Sequence, residues 1–252
     1  MSNGYGSLCD DFYLDMYINT ELDLPMQRDT ILAFFERIQK QYPSMGCFYR
    51  RDNNEYCLEE SSRLGQYRWV TLETDRIGSG FVNPSSFEDV YCQDRLVLEL
   101  IPYMLGVSHL DIDSLDVTFA MDFDYAGNHD EIITEALLGQ SPLSCLLDLP
   151  QTSAIDFSPA IVVALSEDAH TQARINIESK TSVFHPGKQK RGSEDAISMS
   201  FTIRQYPATS GEFDSLKAFE YQCQLAQELM SEKIIPNIVQ PLTGTIAQKR
   251  LT

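Results

Sequence analysis

From Phe12 to Asn19 apolar and polar side chains alternate: Phe12, Leu14, Met16 and Ile18 against Tyr13, Asp15, Tyr17 and Asn19. A period of two sends successive side chains to opposite faces, so the segment reads as a half-buried β-strand. At Asp23-Leu24-Pro25 the period changes. Ile31, Phe34, Phe35 and Ile38 recur at helical spacing, with Asp23 as N-cap, Pro25 in the first turn and Tyr42-Pro43 at the end. The same succession returns later. Val117, Phe119, Met121, Phe123 and Tyr125 alternate with Asp116, Thr118, Ala120, Asp122 and Asp124. Gly127-Asn128 then leads into a helix carrying Ile132, Ile133, Ala136, Leu137 and Leu138.

Between and after these two strand–helix units the pattern predicts antiparallel strands. Cys47 to Arg50 and Glu55 to Glu59 flank the turn-forming Asp52-Asn53-Asn54 as a hairpin. Tyr67 to Asp75 reads as a third strand bearing Trp69, Gly78-Ser79-Gly80 as a break, bulge or turn, and Phe81-Val82 as a short extension. Pro84-Ser85-Ser86 opens a helix striped by Phe87, Val90, Tyr91, Leu96 to Leu98 and Ile101, kinked at Pro102 and stopped at Gly106. After the second unit, strands are expected over Pro159–Glu167, Ala173–Thr181 and Ala196–Tyr206. A long helix starts near Phe213-Asp214, with Leu216, Phe219, Tyr221, Leu225, Leu229 and Ile234 as its stripe and Pro236 as its end or bend. The fold class is therefore α+β: two similar β-α-β-β-β-α halves, with antiparallel sheet and helices packed on one face. The halves are residues 12–115 and 116–241, joined as one unit, with residues 1–11 and 243–252 as loose tails.

Charge narrows the partners. Asp and Glu number 37 against 19 Lys and Arg, a formal net charge of −18. Such a surface repels phosphate backbones and anionic membrane faces, which disfavours nucleic acid and membranes as partners. No run of about 18 apolar residues occurs, and Met1 to Asp10 lack the basic and apolar regions of a signal peptide. The six cysteines, Cys9, Cys47, Cys57, Cys92, Cys145 and Cys223, form no Cys-x-x-Cys. They read as reduced thiols of a cytoplasmic protein, with Cys47 and Cys57 able to face each other across the hairpin. The basic run Lys188 to Arg191 lies in an expected exposed loop that would suit an acidic patch on another subunit, so a homo-oligomer is a possible assembly.

Two regions hold candidate chemistry. Gly127-Asn128-His129-Asp130 resembles the Gly-Asn-His-Asp motif with which calcineurin-like phosphoesterases bring an Asn and a His to a two-metal site, and it follows a strand as that family requires. The family's Asp-x-His, Gly-Asp-x-x-Asp and late Gly-His-x-His motifs are absent. The competing reading is a helix start, with Asn128 as N-cap and Asp130 and Glu131 in the first turn. Asp111, Asp113 and Asp116 fail the EF-hand pattern, because its Gly and Glu positions hold Asp116 and Asp122. Asp122 and Asp124 share a strand face, so Asp122, Asp124, His129 and Asp130 make an alternative metal set for a metal-assisted hydrolase. No Gly-rich phosphate loop or Gly-x-Ser-x-Gly elbow occurs, and no cofactor is called for. The leading expectation is a non-enzymatic binding or assembly protein. Its ligand-binding residues are on the polar strand faces: Tyr13, Asp15 and Tyr17 on one strand, Arg174 and Arg204 on others. The ligand, a protein or a small molecule, is not legible.

Overall fold

The computed structural model describes residues 4–51, 54–139, 141–147, 149–179, 196–208 and 212–251. Among these residues nine strands form one antiparallel sheet: β1 (Asp11–Thr20), β2 (Cys47–Arg50), β3 (Tyr56–Glu59), β4 (Tyr67–Leu72), β5 (Arg76–Val82), β6 (Ile112–Asp124), β7 (Ala160–Ala164), β8 (Thr171–Ser179) and β9 (Ala196–Gln205). Their order across the sheet is β2-β3-β4-β5-β1-β6-β9-β8-β7. The two alternating strands, β1 and β6, pair at the centre, from Asp11–Asp122 to Ile18–Leu115. Outward from that pair each side runs through its later strands in reverse chain order. The sides are unequal, four strands against three.

Period two decides which face is buried. Phe12, Leu14, Met16 and Ile18 of β1 and Leu115, Val117, Phe119, Met121 and Phe123 of β6 lie on one face, each nearly inaccessible. Helices α1 (Arg28–Gln41), α2 (Phe87–Leu100), α3 (His129–Leu138) and α4 (Ser215–Leu229) bring their apolar stripes to the same core. The expected α1 stripe, Ile31, Phe34, Phe35 and Ile38, is buried whole. The opposite face of the sheet stays open.

Several expectations shift. The α1 helix starts at Arg28 behind Gln27, not at Asp23. The chain leaving β1 is still zipped to its neighbours: Glu21 N–H donates to Asp111 O (2.8 Å) and Leu24 N–H to Thr74 O (2.7 Å). Asp23 and Pro25 therefore stay extended ahead of the helix. The expected strand over Tyr67–Asp75 ends at Leu72, and Gly78-Ser79-Gly80 is the middle of β5 rather than a break. The first half thus has four strands after α1. The proposed facing of Cys47 and Cys57 is replaced by Cys47 opposite Glu59 and Tyr49 opposite Cys57, and all six cysteines are free thiols. Asp52 and Asn53 of that hairpin, and the basic run at 188–191, lie outside the described residues.

Both helical prolines are absorbed rather than terminating. Pro102 sits in a π-helical turn, Ile101–Leu105, after α2, and Gly106 (φ 71°) stops the chain in the left-handed region. Pro236 sits in a π-helical stretch, Met230–Val239, which carries α4 into α5 (Gln240–Arg250). A proline ring clashes with the carbonyl four residues back, and widening the turn relieves that clash. The segment expected as a loose tail after 242 is thus helical. Leu242 and Ile246 are buried, and Lys249 pairs with Glu131 (3.1 Å) and Glu135 (3.0 Å) of α3. The N-terminal segment is also anchored: Tyr5 packs edge-on against Phe12, with centroids 5.5 Å apart. In α4 the buried positions are Ala218, Phe219, Gln222, Cys223 and Ala226, while Tyr221, expected in the stripe, faces solvent.

Among the described residues no helix is long and apolar enough to cross a membrane. Leu242→Ala should cost about 2–5 kcal/mol as a core cavity. Tyr103→Ala, at a residue 90% exposed, should stay within about 0.5 kcal/mol of wild type in the same urea titration. Equal small effects at both positions would show that α5 adds nothing to the core.

Candidate binding site on the open sheet face

The pairing register lays the open face out in rows that run across the strands. One row reads Cys47, Glu59, Trp69, Gly80, Asp15, Thr118, Thr202, Arg174, Val162. A flanking row carries Thr71, Gly78, Tyr17, Asp116 and Arg204, and the row on the other side carries Tyr67, Val82, Tyr13, Ala120 and Ser200. Neighbouring strands lie about 4.8 Å apart, so side chains along a row touch. The five residues expected to bind a ligand, Tyr13, Asp15, Tyr17, Arg174 and Arg204, therefore share one face, with Asp15 and Arg174 in the same row.

The two glycines of β5 shape this face. A side chain at Gly80 would place its Cβ 2.5 Å from Trp69 Cζ2, and one at Gly78 would place it 2.8 Å from Tyr17 Cε1. Their bare backbone lets Trp69 and Tyr17 lie down on the sheet, their ring centroids 5.9 Å apart. A depression of about 330 Å³ opens here, walled by Tyr13, Tyr17, Tyr67 and Trp69 and holding Asp15, Glu55, Glu59 and Glu73 with Arg51 and Arg76. Both guanidiniums are committed. Arg51 pairs with Glu55 at 2.8 Å. Arg76 grips Glu73 through Nε (2.9 Å) and Nη2 (2.7 Å) and lies 4.8 Å from the centre of the Tyr17 ring.

Asp15 is different. Its Oδ1 is out of contact with solvent and, among the described residues, has no hydrogen-bond partner. Burial disfavours its charged form and pushes its carboxyl up to about 7. A second carboxyl, Asp94 of α2, lies on the helix side of β5, beside Ser79. It is wholly buried, neither oxygen is within hydrogen-bonding geometry of a partner, and burial raises it well above the usual range, with the neighbouring Ser79 opposing only part of that rise. Its neighbour Gln93 is satisfied, donating to Ser79 Oγ at 3.0 Å and to Trp69 O at 3.1 Å.

On the far side of β1 the open face is basic. Arg204 holds Asp116 by two bonds, Nε–Oδ1 2.7 Å and Nη2–Oδ2 2.6 Å, and the pairing keeps its guanidinium charged. Arg174 is exposed and forms no ion pair with another of the described residues. With Tyr17, Arg76, Thr118 and Thr202 these residues line a second depression of about 450 Å³. The Thr118 and Thr202 hydroxyls bridge the two regions at 2.8 Å.

The alternative metal set does not converge. Asp122 is buried and accepts from Tyr13 Oη (2.9 Å) and Ser198 Oγ (2.7 Å). Asp124 is at the exposed end of β6. His129 is buried, its Nδ1 2.9 Å from Ser179 Oγ and its Nε2 2.7 Å from Tyr125 O, so both nitrogens are engaged. Asp130 caps a loop by accepting from Phe157 N–H at 2.9 Å. Asn128 is the N-cap of α3, accepting from Glu131 N–H at 3.2 Å. Among the described residues no group of three or more His, Cys, Asp or Glu is placed to hold a metal ion.

Sequence reading missed Trp69, Glu59, Gly78 and Gly80 as parts of one site. The signal was present in Gly78-Ser79-Gly80: glycines two apart inside a strand strip one face bare. No protein-family model matches the chain, and no curated protein matches it by sequence. The crystal structure of the di-domain ARO/CYC BexL from the BE-7585A biosynthetic pathway aligns over 94% of this chain and 98% of its own at 8% identity. Its TM-score of 0.19 is too low to bear on fold or function.

The Asp15 shift has a definite pH signature. Its folded carboxyl titrates above the ordinary value, so the folded state holds the proton more tightly than the unfolded chain. The stability this contributes is complete below about pH 4 and is lost as pH rises through about 7. Asp15→Asn should therefore match wild type near pH 4 and exceed it by about 1–3 kcal/mol near pH 8. Urea titrations across that range check this, and a difference independent of pH would refute the buried, raised carboxyl.

Proposed function

We propose that this is a binding protein whose open sheet face is the ligand surface, centred on Asp15 with Tyr13, Tyr17, Arg174 and Arg204. The observation that carries the reading is a carboxyl held against bare backbone with no partner of its own. Burying an unpartnered polar group costs free energy, and a bound ligand that supplies the partner recovers it. The size of the depression suits a small molecule. Free thiols throughout suit a reducing, cytoplasmic location. The test is a thermal-shift screen of chemically diverse small molecules against wild type, Trp69→Ala and Arg174→Ala. A ligand at roughly 100 times its Kd adds about 2.7 kcal/mol, or about 5–10 °C in Tm for a chain of this size. Hits should lose that shift in at least one variant. A screen in which every hit stabilises all three proteins equally would place binding elsewhere.

A second reading, homo-oligomer assembly, is favoured by the edge strand β7. All five of its residues, Ala-Ile-Val-Val-Ala, are exposed, and Ile161, Val162 and Val163 are 60%, 56% and 47% accessible. Its backbone bonds to β8 at odd positions: Ile177 N–H donates to Pro159 O and Leu165 N–H to Thr171 O. By the two-residue alternation of an antiparallel ladder, the N–H and C=O of Ala160, Val162 and Ala164 point outward. The opposite edge, β2, is four residues long and ends in Arg50, a charge that blunts pairing. β7 has no such guard. It is uncharged in a chain of net charge −18, so it is where an equally acidic second copy can approach. We infer an antiparallel β7–β7 contact. Val162→Pro removes an outward donor without touching the β8 ladder. Sedimentation should show a wild-type dimer and a monomeric variant, and a wild type that stays monomeric at high micromolar concentration would exclude this contact.

A further inference from the structure

We propose that the depression over Gly78 and Gly80 binds the ammonium group of a small organic amine, with Asp15 as its counter-ion and Trp69 and Tyr17 as its aromatic walls. This rests on the reading of the open face as the binding surface and names the ligand class.

Charge is the first argument. Four carboxyls and two guanidiniums line the depression, and both guanidiniums already hold a carboxylate, Arg51 with Glu55 and Arg76 with Glu73. Asp15 and Glu59 are left without a cation among the described residues. An anionic ligand would meet two unneutralised carboxyls and no free positive charge. A cation would complete the set.

The walls argue for an organic cation. The faces of Trp and Tyr rings attract an ammonium electrostatically, and desolvation strengthens that attraction. Trp69 and Tyr17 are held flat beside Asp15 because Gly78 and Gly80 leave them room. Asp15 lines the same depression as these rings, so an ammonium bound there would be its neighbour. A hard metal ion needs six or more oxygen ligands, and no cluster of three is placed for one among the described residues.

Binding should follow the Asp15 proton. Its carboxyl, pushed up to about 7, must ionise to pair with an ammonium. The other groups facing it from β1 are Tyr13 and Tyr17, both held neutral by burial well above their ordinary range. From β3 come Glu59 and the Cys57 thiol, the latter raised to about 11. Glu55, Glu73, Arg51 and Arg76 are locked in the two ion pairs. Tyr67 on β4 is also raised by burial. From β6, Asp116 is paired with Arg204 and Asp122 is bonded to Tyr13. Across the sheet burial also raises Asp94, and at the exposed end of β6 it raises Asp124, so the removal of each is a control.

Trp69 is the only tryptophan in the chain, so intrinsic fluorescence reports on this wall directly. The experiment titrates the full-length protein with tetramethylammonium, 1,4-diaminobutane, acetate and glucose at about pH 6 and about pH 8. The ammonium probes should give a saturable emission change, with Kd roughly tenfold tighter at the higher pH. Acetate and glucose should give none. Asp15→Asn should abolish the response at both pH values while leaving the unliganded emission close to wild type and raising, not lowering, Tm at about pH 8, and Asp94→Asn and Asp124→Asn should keep the response together with its pH dependence. Trp69→Phe, followed by calorimetry, should bind more weakly than wild type. Saturation by acetate or glucose instead of ammonium would overturn the cation and leave the open face as the binding surface. Ammonium binding that survives Asp15→Asn would overturn the assignment of Asp15. Silence from all four probes would also overturn the amine, and the broad screen with Trp69→Ala and Arg174→Ala would then decide the face itself.

Discussion

The antiparallel pairing of β1 with β6 fixes where everything else in this structure lies. Its register sets Leu14 beside Phe119 and Asp15 beside Thr118, and the alternation of a strand then assigns every following residue to the core or to the open face. A slip of one residue would drive Asp15, Tyr17 and Asp116 into the helices and turn Leu14, Met16 and Val117 out to water. The loss of that apolar burial, at about 25 cal/mol for each Å², holds the register. The two wings, β5 to β2 and β9 to β7, extend a pattern already decided at the centre.

On the core face this pattern is filled conventionally, with phenylalanines from both central strands and four helices. The open face shows how a strand can be thinned for a purpose. Gly78 and Gly80 forgo the packing a side chain would give and weaken β5 in its middle. What they allow is the flat placement of Trp69 and Tyr17 against backbone. The same clearing admits the Asp15 carboxyl, and the sheet then carries unpartnered carboxyls on both sides of β5, since Asp94 lies on the helix side. Burial raises both, and the charge of Asp15 adds to the rise at Asp94. Stability alone would replace both with neutral groups, because burial disfavours their charged forms.

The cations of the open face are organised in the opposite way. Arg51, Arg76 and Arg204 are each bound to a carboxylate, and all three carboxylates are themselves at least partly buried. These pairs stiffen the face and take its positive charge out of play near the glycines. Arg174, three strands from Asp15 along the same row, forms no ion pair among the described residues. The face therefore has an acidic, aromatic end and a basic, hydroxyl-lined end.

Local periodicity, read from the sequence by itself, determined the alternating strands, the stripe of α1, the Asn128 cap and the α+β class. Each depends on neighbours within a few residues of one another, where side-chain direction follows directly from backbone period. It also put Tyr13, Asp15 and Tyr17 on one face, because alternation requires it. Where sequence reading failed, a distant partner decided. Gly78-Ser79-Gly80 looks like a turn until Trp69 and Tyr17 from two other strands are laid over it. Asp23 looks like a cap until the backbone at Leu24 is seen bonded to Thr74. Pro236 and the last residues look like an ending until α3 supplies Glu131 and Glu135 to hold Lys249. Tertiary structure alone chose which strands neighbour one another, and so which of the polar faces became a single site. Strand order is set by the packing of the whole core, and no local pattern carries it.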